Sequence, residues 1–149
     1  MKKTLKLAAL LLVYSALFFA CKKKTENAPF DPLKGTWVET PAQNYKRIVK
    51  FNDGGKFSMH MSNTADANYM LILNGTYTVQ GENLIVKITE QQEKQGNGQI
   101  VTTIVNQSDL FEKGTFSIIN TVLTLTYTSY PADAPVRTQV KFNKVIAID

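Results

Sequence analysis

Gly75-Thr76-Tyr77-Thr78-Val79, four residues of turn, then Leu84-Ile85-Val86 is a stretch that this chain writes twice. Gly114-Thr115-Phe116-Ser117-Ile118 is likewise followed, after four residues, by Leu123-Thr124-Leu125. Each copy sets β-branched and aromatic residues on both sides of a short reversal, which is the pattern of a β-hairpin. A shorter third echo, Gly35-Thr36-Trp37, gives separations of 40 and 39 residues between the three glycines. Glycine beside a strand admits a sharp bend or a close backbone approach, and the aromatic two places later falls on the same face. Repeated around a sheet, this is how a barrel turns its corners.

Outward from these hairpins the same period of two continues. Phe57, Met59 and Met61 share one face against Lys56, Ser58 and His60, and Leu123, Leu125 and Tyr127 oppose Thr124, Thr126 and Thr128. Val136, Thr138, Val140 and Phe142 alternate with Arg137, Gln139, Lys141 and Asn143. No window sustains a helical period over three turns, so the chain is all-β. Asn52-Asp53-Gly54-Gly55, Gln80-Gly81-Glu82-Asn83, Gly96-Asn97-Gly98 and the segment Pro131 to Pro135 supply the reversals. The expected architecture is a single antiparallel up-and-down β-barrel of eight to ten strands. Closure of a meander requires an even number: a continuous Met70–Gln80 strand gives nine, a hairpin at Asn74-Gly75 gives ten, and one irregular element gives eight.

Gly35-Thr36-Trp37, the Asp53-Gly54-Gly55-Lys56-Phe57 turn and the Gly75-Thr76-Tyr77-Thr78-Val79 strand together resemble the lipocalin-like domains found on many bacterial lipoproteins. The resemblance runs from about Leu33 to Val145. It implies that Trp37 plugs the closed end of the barrel beneath a basic side chain of the last strand, Lys144 or alternatively Arg137. Asp31-Pro32-Leu33 suits a short helical turn across that end.

The chain begins with a different signal. Lys2, Lys3 and Lys6 precede an apolar run of 13 residues from Leu7 to Phe19, too short to span a bilayer and typical of a secretory leader. Ala20 and Cys21 follow, and the segment resembles bacterial lipoprotein signals, in which cleavage precedes a cysteine that then carries acyl chains such as palmitate. The expected organisation is a signal peptide over 1–20, a lipidated Cys21 with a linker over 21–29, and the barrel over 30–149. Ordinary cleavage, leaving a free thiol, is the alternative. Acylation of Cys21 would tether the protein permanently to a membrane. Lys22 after the cysteine resembles lipoproteins of the outer membrane, facing the periplasm, with the cell surface as the alternative.

The formal charge of +5 does not indicate nucleic acid. Six of the 17 basic residues are Lys2, Lys3, Lys6, Lys22, Lys23 and Lys24, and from Phe30 onward 11 basic residues meet 11 acidic ones. A neutral domain lacks the basic footprint that phosphate binding needs. The chain's one cysteine and one histidine leave no Cys/His pair once Cys21 is acylated, and no serine stands in a nucleophile context. Glu90 and Glu93 flank a Gln- and Gly-rich loop and read as solvated. Met59-His60-Met61 offers copper(I)-type ligands, but a regular strand sends His60 to the face opposite the methionines. The chain is therefore expected to be no enzyme, with no cofactor and no metal.

The barrel interior remains. Inward positions are expected at Trp37, Val49, Phe51, Phe57, Met59, Leu71, Leu73, Tyr77, Phe116, Leu125, Tyr127 and Phe142. Of these, Phe51, Phe57, Met59, Leu71, Tyr77, Phe116, Tyr127 and Phe142 are the candidate lining of a small apolar site, with tyrosine hydroxyls to orient a ligand. Lys46, Arg47, Lys50 and Lys56 read as a solvated sheet edge, and the loops 62–68 and 90–99 as polar tips. Two functions follow: a lipid-anchored lipocalin-like protein binding a small hydrophobic molecule in the cell envelope, or a filled barrel acting on a protein partner as an accessory or inhibitor module.

Overall fold

In the computed structural model, which describes residues 30–42, 44–66 and 68–146, nine strands follow one another. They are β1 Gly35–Glu39, β2 Tyr45–Asn52, β3 Lys56–Asn63, β4 Met70–Gln80, β5 Asn83–Lys94, β6 Val101–Asp109, β7 Glu112–Ile119, β8 Val122–Ser129 and β9 Val136–Lys144. Consecutive neighbours pair antiparallel from β1 to β5, and from β7 through β9 back to β1. The expected hairpin reversals form, with 3-10 turns at Asp53–Gly55 and Pro131–Asp133.

The parity problem is resolved by β6 and β7. Both run antiparallel to β5 along the same edge: β6 pairs with Lys87–Glu93, and β7 pairs with Asn83 through Thr115. Leu110 N–H donates to the Val86 carbonyl and Phe116 N–H to the Glu82 carbonyl, which continues that edge across the bend. Eight strands, β1–β5 and β7–β9, close the ring, and β6 prolongs β7 beyond it. The result is a closed antiparallel up-and-down barrel, lipocalin-like in architecture.

The repeated sequence is a repeated hairpin. Gln80 faces Asn83 and Tyr77 faces Val86 in one copy, while Ile119 faces Val122 and Phe116 faces Leu125 in the other. The expected hairpin at Asn74-Gly75 is replaced by a register shift within the continuous strand β4. There a Cβ on Gly75 would lie 1.9 Å from the Lys87 carbonyl oxygen, so only glycine fits the bend. A Cβ on Gly114 would stand 2.7 Å from the Leu84 carbonyl oxygen.

One end of the barrel is packed shut. Leu33, Trp37, Phe51, Leu84, Leu123 and Phe142 are all buried there. Asp31-Pro32-Leu33 forms a turn rather than a helix, with the Leu33 N–H donating to Asp31 Oδ1 at 2.9 Å. The Leu33 carbonyl is thereby presented to Trp37 Nε1, which donates to it at 2.7 Å. Tyr77 donates its hydroxyl proton to the Asp31 carboxylate, tying the turn to β4. Lys144 Nζ lies 5.1 Å from the Trp37 ring centroid, within cation–π range.

Candidate functional site at the barrel mouth

Strand register sorts the interior into levels. Phe51, Phe57 and Gly75 stand side by side on β2, β3 and β4; above them come Val49, Met59, Leu73 and Gln91, and above these Arg47, Met61, Leu71 and Glu93. The lowest level is filled by rings. Centroids are separated by 4.9 Å for Tyr77 and Phe51, 5.4 Å for Phe51 and Phe57, 6.4 Å for Phe57 and Phe111, and 5.1 Å for Phe111 and Tyr127. This file of edge-on rings spans the lumen from the β2–β4 wall to β8, in the geometry that aromatic pairs prefer.

The expected apolar lining therefore divides. Phe51, Phe57, Met59, Tyr77 and Phe142 are buried within the packed core. Leu71, Phe116 and Tyr127 are half-buried. Leu71 belongs with Met61 and Leu73, which also face inward while retaining accessible surface, and Tyr127 ends the ring file. The division falls between consecutive inward residues of β3: Met59 is 4 % exposed, and Met61 above it is half-buried.

Glu39 and Arg47 supply the polar element of this upper level. Glu39 follows Trp37 by two on β1, and Arg47 precedes Val49 by two on β2, so strand alternation turns both inward. Arg47 Nε donates to Glu39 Oε2 at 2.6 Å and Nη2 to Oε1, a bidentate pair whose carboxylate is buried. The Arg47 guanidinium is held above its ordinary pKa, first by its hydrogen bond to Glu39 against the opposing effect of burial, with Tyr127 adding to the upward shift. The expected solvated edge is thus corrected for one member. Lys46, Lys50 and Lys56 are exposed, whereas Arg47 enters the barrel because it shares parity with Val49 and Phe51.

A depression of about 200 Å³ opens beside this pair, bounded by Glu39, Asn44, Tyr45, Arg47 and Met61. The depression offers apolar surface on Met61 and Tyr45 beside the paired guanidinium, and Glu93 adds a further carboxylate to the same level across Leu71. A larger groove of about 500 Å³ lies along the wall, where β5 meets β7 at Asn83 and Thr115. Its flank is spanned by the Lys87–Asp109 ion pair at 2.6 Å.

The remaining candidates separate in space. His60 is exposed on the outer face of β3, away from Met59. Glu90 accepts from Asn74 Nδ2 and Gln92 Nε2, both at 2.9 Å, while Glu93 accepts from Gln95 and faces the opposite side of β5. Among the described residues no three His, Cys, Asp or Glu side chains gather as metal ligands. Cys21, the leader and the linker lie outside the described residues.

Glu39, Asn44, Tyr45 and Phe111 escaped the sequence reading, and Arg47 and Glu93, read as solvated, share the inward level of Met61 and Leu71. Parity from Trp37 and Val49 carried the signal for Glu39 and Arg47. Phe111 sits at the bend between β6 and β7, where no period of two applies. Comparisons of the chain with protein-family models, curated proteins and solved structures found no match.

Proposed function

We propose that this chain is a lipid-anchored, lipocalin-like binding protein that holds a small apolar molecule in the mouth of its barrel at the cell envelope. One observation carries the reading: Met61, Leu71 and Leu73 face inward above a packed floor and keep accessible surface. Apolar side chains that point into a barrel without being covered form a cup, and a cup of this chemistry favours a greasy ligand with one polar atom. The Glu39–Arg47 pair orients that atom. The cup is shallow, because the ring file from Tyr77 to Tyr127 occupies the lumen beneath it. That same filling favours the second reading, a solid barrel that works through protein contact.

Native mass spectrometry of the full chain, exposed to an envelope lipid extract, separates the two. A bound mass retained by the parent and lost on Leu71→Arg supports the carrier. A bare chain across lipid and metabolite pools supports the filled barrel. Anchoring is tested separately by metabolic labelling with an alkynyl fatty acid: the label is expected on the parent and absent from Cys21→Ser. Protease treatment of intact cells is expected to leave the barrel undigested if it faces the periplasm; digestion would place it on the cell surface.

A further inference from the structure

The outer edge of β6 stands outside the closed ring. On one side β6 pairs with β5; on the other it has no strand among the described residues, and β8 and β9 end at Ser129 and Val136 without extending along it. An open edge is a template for another chain, and proteins commonly blunt it with lysine, proline or a short strand. Here the regular part, Val101–Ile104, is short and bounded by a register shift but carries neither lysine nor proline, and the sequence from Gln95 to Ser108 contains no charged residue. The same segment exposes large apolar side chains, with Val101 at 63 % and Ile104 at 78 % exposure.

Its sequence is also symmetric in side-chain type. Val101-Thr102-Thr103-Ile104-Val105 reads as β-branched residues in either direction about Thr103. A two-fold axis at Thr103 would set Thr102 against Ile104 of a second copy and Thr103 against itself, with Val101 meeting Val105 where the irregular stretch of β6 begins. Val–Val, Thr–Ile and Thr–Thr are favourable cross-strand neighbours, and no like charges meet. An isologous pair closes after two copies, so it caps both open edges and avoids a growing sheet.

We propose that β6 is a homodimerisation strand, joining two copies antiparallel about Thr103. Val101 and Thr103 stand beside Glu93 and Gln91, so β6 continues the wall of the mouth, but the oligomeric state is read with no ligand present and its failure leaves ligand binding untouched. In the full chain, Thr103→Cys is expected to give a disulfide-linked dimer on mild oxidation, reversed by thiol. The parent, whose only thiol is Cys21, and Ser58→Cys on β3 serve as baselines. Sedimentation of the full chain in detergent is expected to give a dimer whose dissociation constant rises at least tenfold, roughly, in Thr103→Lys, while the thermal midpoint is retained. Cross-linking of Thr103→Cys no greater than the baselines overturns the proposal, as does a parent that sediments as a monomer or a Thr103→Lys variant that associates as the parent does.

Discussion

The lower and upper halves of this barrel are built from the same strands and the same period of two, yet they do different things. Below Met59, inward side chains are aromatic or branched, touch across the lumen and exclude solvent. Above it, the walls remain but the fillers change to Met61, Leu71, Glu93 and the Glu39–Arg47 pair. A barrel of eight strands is just wide enough for large side chains to meet in the middle, so their replacement by slimmer and polar ones opens a cup. Depth of packing separates the stabilising floor from the proposed ligand cup within one continuous wall.

The sharpest way to break that contrast is through the floor. Phe51→Ala is expected to destabilise by about 4 kcal/mol in urea unfolding, because it removes a ring and leaves a cavity. Leu71→Ala in the mouth should cost about 1 kcal/mol, in keeping with partial burial. Equal losses at the two sites would erase the distinction. Gly75→Ala belongs with the floor: the Lys87 carbonyl leaves no room for a methyl group, and a loss of about 3 kcal/mol or more is expected. Gly81→Ala, in an uncrowded turn at φ +62°, should cost only about 1 kcal/mol.

The charged pair sharpens the upper half. Arg47→Ala leaves the buried Glu39 carboxylate unpaired and is expected to lose about 3 kcal/mol, whereas Glu39→Met with Arg47→Leu should recover most of that loss. If the double replacement is as damaging as the single one, the pair contributes more than mutual compensation.

A smaller effect is expected from alkali. Burial, and then the hydrogen bond to Asp31, push the Tyr77 hydroxyl well above its ordinary value. The folded state therefore keeps this proton after the unfolded chain has released it. Its contribution is complete below about pH 10 and declines as pH rises beyond that value. Unfolding measured across this range should show a shallower alkaline decline in Tyr77→Phe than in the parent.

Much of the fold was legible because its determinants are local. The duplicated hairpin, the turn glycines and the alternation of Phe57, Met59 and Met61 each state their structure within a few residues. Strand count was not, since it depended on how β6 and β7 share the edge of β5, a pairing distant in sequence. Arg47 shows a different failure. Its parity pointed inward, but membership of a basic cluster suggested solvent, and the decisive partner, Glu39, lay on another strand. Leu71 and Phe57 share the inward parity, but which of them is covered depends on Phe111, supplied by an irregular bend.

The mouth is tested most directly by the methionine methyl resonances of the full chain during titration with an envelope lipid extract. Met59 and Met61 are neighbours on the same inward face, one buried in the packed part of the barrel and one half-buried above it. The expected result is a saturable shift of Met61 with Met59 unmoved. A shift of Met59 without Met61, or a spectrum unchanged across the extract, would contradict a ligand site at the barrel mouth.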